Sequence, residues 1–165
     1  MDKQIGFINT DLDGITENVR VKETNLGNFL CDIITSAVIC DCCIINGGSL
    51  RSDRIHPAGP FTIRDLRDIL SFESELIVVL IKGKQLHDLL ENCISKYAQG
   101  GGRFPQVSKL FFAFDPKLEP GKRIDPRLIE VNGIQLKPDH EYKLATNMFL
   151  FNVDDTLKTC QVEVY

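Results

Sequence analysis

The chain has 165 residues, 43% hydrophobic and 25% charged, which is the balance of one ordinary globular domain able to bury a core without metals or disulfides. A formal net charge of −4 excludes the basic excess of a general nucleic-acid binder, so any anion site must be built locally from a few arginines. No apolar run approaches the roughly 18 residues of a membrane span.

Residues 1–19 are mixed, with an apolar patch at 5–8 that supplies an edge strand and a loop. From Asn25 to Ala37 the apolar positions Leu26, Phe29, Leu30, Ile33, Ile34 and Ala37 recur at helical spacing, with Thr24 as the cap. Residues 42–45 form a short apolar run that reads as a buried strand, and Gly47-Gly48 turns the chain after it. Thr62 followed by Asp65 predicts a capping box and a short helix through Leu70. The aliphatic run 74–81 predicts a second buried strand. Gly83 ends it, and Leu86, Leu89, Leu90, Cys93, Ile94 and Tyr97 mark an amphipathic helix that stops at Gly100-Gly101-Gly102. A phenylalanine-rich strand covers 107–114. Residues 128–131 and 134–136 flank Asn132-Gly133, the strongest local hairpin signal in the chain. Residues 142–146 form a last strand. The order predicts an α+β fold, a mixed β-sheet with two main helices and a late β-hairpin, in a single domain over 1–165.

Chemistry is sparse. His56, His87 and His140 are scattered with no shared metal-ligand spacing, and His56 and His87 read as surface residues. No nucleophile elbow, phosphate loop or dinucleotide fingerprint occurs. Six cysteines, Cys31, Cys40, Cys42, Cys43, Cys93 and Cys160, show no zinc-finger spacing; they read either as small buried hydrophobes or as members of a bridge. What remains suits binding. In Asn46-Gly47-Gly48-Ser49-Leu50-Arg51 two glycines allow a tight turn, and the Arg51 fork beyond it matches phosphate oxygens. Arg20 and Lys22 precede a helix N-terminus, which favours anions. Phe72, Phe104, Phe149 and Phe151 stand at segment ends, where a ring is either a core plug or a stacking face.

These segments resemble the 5′-nucleotidase C-terminal domain. Arg20 through Asn28 is similar to its R-x-x-E-T-N-x-G-N entry, and Asn46 through Arg51 to its N-G-G-x-I-R turn. Ser71-Phe72 stands at its P-F pair, and Lys82-Gly83-Lys84-Gln85-Leu86 matches its x-G-x-x-L helix entry. Gly102 through Ser108 is close to G-x-F-P-Q-V-S-G, and Tyr142 through Leu150 to Y-x-V-A-T-N-x-F-L. Six motifs in order cover the chain from Arg20 to Asp155.

The resemblance implies that no catalytic residue, metal ligand or cofactor belongs to this chain. A preceding metallophosphoesterase domain would hold two divalent metals and hydrolyse, while this domain grips a nucleoside 5′-phosphate and a rotation carries it to the metals. By matched position Arg20 and Arg51 would hold phosphate, Asn46 would line the same pocket, Phe72 and Phe149 would sandwich the base, and Asp155 would accept from the ribose hydroxyls. Cys31 and Cys43 match positions bridged in animal cell-surface members. Family members are secreted, cell-surface or periplasmic. This chain reads as a fragment lacking the catalytic domain, ending at Tyr165 before the helix and strand that close the domain. It departs from the family in Val153-Asp154-Asp155, where G-G-D is usual, and in Ser71 for proline. Two rival readings are a non-enzymatic nucleotide- or partner-binding domain and a purely structural one.

Overall fold

The computed structural model describes residues 3–70 and 75–164. In chain order the elements are β1 (Gln4–Ile8), β2 (Leu12–Asp13), α1 (Thr16–Val19), α2 (Asn25–Ala37) and β3 (Cys42–Asn46). After a 3-10 turn at Gly47–Ser49 come β4 (Ile55–His56), β5 (Gly59–Thr62), α3 (Ile63–Ile69), β6 (Leu76–Lys82) and α4 (Gly83–Ile94). The remainder is β7 (Pro105–Ser108), β8 (Leu110–Phe112), β9 (Ile129–Val131), β10 (Ile134–Gln135), β11 (Glu141–Asn147), α5 (Met148–Val153) and β12 (Gln161–Val164). The fold is α+β, built on a mixed sheet.

The main sheet runs β12-β6-β11-β3-β7. β3 and β11 are parallel, with Cys43 opposite Ala145, and the other described neighbours in this sheet are antiparallel. Both faces of it are covered, which explains the unbroken apolar runs of β3 and β6. Alternation along a strand divides each run between two cores. Cys42 and Ile44, with Ile77, Val79, Ile81 and Leu144, face α4 and its Leu86, Leu89, Leu90 and Ile94. Cys43 and Ile45, with Val78 and Ala145, face α2 and its Leu26, Leu30 and Cys31. Truncating a fully buried leucine such as Leu89 or Leu90 removes about 2–5 kcal/mol from a core of this kind.

Helix α2 starts where its cap demands: the Thr24 hydroxyl accepts from the Gly27 N–H at 3.2 Å. Its far side is thinly covered, with Ile33 48% exposed and Phe29 edge-on to Phe61 at 5.7 Å. The capping box at Thr62 and Asp65 is complete in both directions. The Asn132-Gly133 turn has both residues at positive φ, 53° and 73°, as a two-residue hairpin turn requires.

Four expectations need correction. The phenylalanine-rich strand is two strands: Lys109 adopts φ 55°, and β8 leaves the main sheet to pair with β9. The helix after Gly83 ends at Ile94, and turns carry residues 95–100. His56 is not a surface residue. β4 pairs with β2 and buries the imidazole to 2% exposure, and neither ring nitrogen has a hydrogen-bond partner among the described residues. His87 is partly buried, with Nε2 at 3.1 Å from the Ile124 carbonyl oxygen.

Burial first, then the Arg54 charge, pushes the His56 pKa below its ordinary 6.5. Above pH 6.5 the ring is neutral in folded and unfolded chains alike. As pH falls below 6.5 the unfolded chain takes up its proton first, so stability declines until the pH has passed the lower folded-state value. Urea midpoints at pH 7.5 and pH 5.5 should therefore differ more in the wild type than in His56→Leu. An equal pH dependence in both would contradict the assignment.

Candidate functional site

Because β3 and β11 are parallel neighbours, their C-terminal ends and the turns beyond them emerge at one edge of the sheet, where crevices form in such sheets. Each of these strands ends on a buried asparagine. Asn147 Nδ2 donates to Asn46 Oδ1 at 3.0 Å and to Ser49 Oγ at 3.0 Å. Ser49 Oγ donates to Asn46 Oδ1 at 2.6 Å, and Asn46 Nδ2 donates to the Gly102 carbonyl at 3.0 Å. Asn147 Oδ1 accepts from Leu150 N at 2.9 Å and so caps α5. The turn between Asn46 and Arg51 is thereby tied to α5 and to the glycine loop at 100–102. A Cβ on Gly47 would stand 2.0 Å from the Val19 carbonyl oxygen, and one on Gly48 2.8 Å from Gly102 Cα. Only glycine fits there.

A cleft of about 860 Å³ opens beside this turn, within the usual size range of ligand pockets. Its polar end is formed by Asn46, Gly48, Ser49, Arg51 and Asn147. Its long apolar wall comes from β1 (Phe7), α2 (Phe29, Ile33), β5 (Phe61) and α3 (Leu66, Leu70). Phe149, in the first turn of α5 and 54% exposed, also faces the cleft. Asn46, Arg51 and Phe149 are thus brought together. The Arg51 N–H donates to the Ile69 carbonyl at 2.9 Å, which fixes its main chain against the end of α3.

Two expected residues lie apart from the cleft lining. Arg20 sits beyond the glycine turn, its Nη1 donating to the Gly100 carbonyl at 3.2 Å. Its Nε is buried with no hydrogen-bond partner among the described residues. Asp155 is exposed and pairs with Lys158 at 2.7 Å; that hydrogen bond holds its pKa below the ordinary carboxylate value. The neighbouring Asp154 is the buried one. It accepts from Thr156 N at 2.8 Å and from Asn92 Nδ2, and so pins the loop to α4. Phe72 lies outside the described residues. Phe104 is a core residue packing beside Tyr97 and Phe114, and Phe151 is partly buried against that core.

Sequence reasoning passed over Asn147, Ser49 and Gln106. The signal for Asn147 was present in Thr146-Asn147-Met148-Phe149, an asparagine directly ahead of a helical turn. Among the described residues no three His, Cys, Asp or Glu side chains stand where they could hold a metal ion. None of the described helices is long and apolar enough to cross a membrane. Cys31 on α2 and Cys43 on β3 are both buried and free; the Cys31 thiol donates to the Gln106 carbonyl at 3.3 Å and acts directly on Cys43. The neighbouring Cys31 thiol first, then burial, holds the Cys43 pKa well above its ordinary value.

The family model for the 5′-nucleotidase, C-terminal domain matches residues 4–161. The trifunctional nucleotide phosphoesterase YfkN of Bacillus subtilis is 33% identical over 156 residues, covering 90% of this chain and 10% of that protein. Human 5′-nucleotidase is 27% identical over 181 residues, covering 98% of this chain and 31% of that protein. Among solved structures, the 5′-nucleotidase precursor of Thermus thermophilus superposes with a TM-score of 0.88 at 31% identity, over 98% of this chain and 34% of that one. The NAD nucleotidase of Haemophilus influenzae shares the fold, with a TM-score of 0.79 at 20% identity over 96% of this chain and 30% of that one. The chain spans between 10% and 34% of the length of these relatives. Fold and matched sequence agree, and the chain belongs to the 5′-nucleotidase C-terminal domain family.

Proposed function

We propose that this domain grips a nucleoside 5′-phosphate for hydrolysis by a separate domain carrying two divalent metals. The observation that carries the reading is the cleft itself, where a family-matched Arg51, Asn46 and Phe149 converge at the edge of the parallel strand pair. A guanidinium fork suits the phosphate, and an exposed phenylalanine ring suits the flat face of a base. Arg20 is assigned to the phosphate from the far side of the glycine turn, Phe72 to the second face of the base, and Asp155 to the ribose. For Asp155 to act, its loop would have to swing from the Lys158 pairing toward the cleft. Relatives that include a venom enzyme of Naja atra support placing the protein outside the cytoplasm.

The two halves of the pocket separate by ligand. Phe149→Ala removes a stacking face worth about 1–3 kcal/mol. It should weaken adenosine and adenosine 5′-monophosphate alike, by roughly 5- to 150-fold. Arg51→Ala should weaken only the phosphate-bearing ligand, by roughly 10- to 150-fold for a charge-assisted bond of about 1.5–3 kcal/mol. Titration calorimetry at high ligand concentration reads both. If Arg51→Ala weakens the two ligands equally, its phosphate role is misassigned.

The chain alone should release only background phosphate from adenosine 5′-monophosphate in manganese or zinc, because two metals and an activated water need a ligand set that the described residues do not assemble. Turnover that persists through repurification and disappears on mutating a residue of this chain would refute the division of labour.

The meeting of Cys31 and Cys43 supports a bridge between them in an oxidising compartment. Closing it would restrict a short loop and add roughly 3 kcal/mol on the chain-entropy model. Mild oxidation followed by thiol blocking and peptide mapping should recover a Cys31–Cys43 crosslink and a raised Tm. Recovery of both cysteines in blocked, uncrosslinked form would count against it.

A further inference from the structure

Gln106 is fully buried on β7, and its side-chain amide is occupied by a single stretch of chain. Nε2 donates to the Val19 carbonyl at 2.9 Å and to the Lys22 carbonyl at 2.8 Å. Oε1 accepts from the Thr24 N–H at 2.9 Å. A buried amide survives only when its donors and acceptor are matched, and here each finds a main-chain partner between residues 19 and 24. Helix α2 does not need these bonds to begin, because the Thr24 hydroxyl already caps it. The two bonds from Nε2 act instead on the carbonyls that bracket the segment Arg20-Val21-Lys22.

The same stretch is wedged from the opposite side. The Val19 carbonyl oxygen lies where a Cβ on Gly47 would be, 2.0 Å away. A Cβ on Gly27 would stand 2.0 Å from Gln106 Oε1, so this glycine leaves the room the amide occupies under the first turn of α2. Arg20 is thus held through its main chain from behind, while in front its Nη1 reaches the Gly100 carbonyl. Its Nε–H is buried without a partner among the described residues, a costly state for a charged donor.

We infer that Gln106 is a positioning residue that fixes the Arg20 guanidinium, and with it the affinity the domain gains from a ligand's phosphate. This inference rests on the nucleotide-binding reading above for its ligand, while the placement of Arg20 can be read without any ligand. Gln106 does not touch the phosphate. It acts through Arg20.

The test uses the whole chain, with Gln106→Met, which keeps length and removes the polar groups, and Gly27→Ala, which displaces the amide from the other side. The first readout is ligand-free. The Arg20 Nε–H resonance, assigned by its loss in Arg20→Ala, should shift in both variants, and the Thr24 amide should exchange faster than in the wild type. An Arg20 resonance that stays in place would overturn the inference. Should Gln106→Met fail to fold, Gly27→Ala carries the same comparison.

The second readout is the ratio of affinities for adenosine 5′-monophosphate and adenosine. Gln106→Met should lower that ratio about tenfold, as Arg20→Ala does, with adenosine affinity unchanged. In the Arg20→Ala background it should lower the ratio no further, because the two residues act as one unit. A wild-type ratio in Gln106→Met, or losses that multiply in the double variant, would refute the positioning role. If the wild type binds neither ligand, the nucleotide reading fails, and the Arg20 resonance still decides whether Gln106 places it.

Discussion

The candidate site depends on two strands, β3 and β11, that run parallel and end side by side on buried asparagines. Parallel pairing is what brings two chain turns, distant in sequence, to the same sheet edge. The asparagines then join those turns directly, Asn147 donating to Asn46 and to Ser49 while capping α5. Each bond adds on the order of 1 kcal/mol net, but an unpaired buried amide would cost about 1–3 kcal/mol. The knot is therefore more important for the one geometry it permits than for stability. Arg51 and Phe149 both extend from turns that this knot fixes, so the two side chains line one cleft.

The cleft is lopsided. One end carries asparagine, serine and arginine; the rest is lined by Phe7, Phe29, Ile33, Phe61, Leu66 and Leu70. A planar base needs an apolar face, and a phosphate needs a fork with little competing negative charge. Near Phe149, Asp154 is engaged on α4 and its own loop and Asp155 on Lys158; near Arg51, Asp53 accepts from the Thr16 N–H at 2.9 Å and its charge meets that of Arg20. An overall charge of −4 is thus compatible with local anion recognition, because the sign of the field at the cleft is set by which side chains face it.

Elements whose signals are local were legible in the sequence. Helix α2, its Thr24 cap, the Thr62–Asp65 box and the Asn132-Gly133 hairpin all depend on residues a few positions apart, and each stands where its pattern put it. The short elements β2, β4, β5, α1, α5 and β12 were not legible. Pairs such as Leu12 with His56 are stabilised by neighbours far along the chain, and two to six residues carry too little periodicity to announce themselves. The break at Lys109 failed for a related reason: a run of apolar residues shows that chain is buried, not that it stays in one sheet. Three of the motif residues, Asn46, Arg51 and Phe149, line one cleft, but spacing alone could not say that Asp155 turns outward while Asp154 turns in.

His56 and Gln106 show a deeper limit of single-sequence reading, in opposite senses. A polar residue is expected outside, and both are inside. Gln106 is inside because three main-chain groups from residues 19–24 satisfy it, a condition that exists only after β7 has packed beneath the start of α2. His56 is inside because the β2–β4 pairing buries it, with both ring nitrogens unpartnered among the described residues. The first arrangement joins the strand to the Arg20 segment; the second only makes the fold less tolerant of acid. Burial of a polar side chain therefore does not by itself mark function. What separates the two residues is where their polar atoms lead: those of Gln106 end on the chain that carries a buried, unmatched guanidinium N–H, and those of His56 reach no hydrogen-bond partner among the described residues.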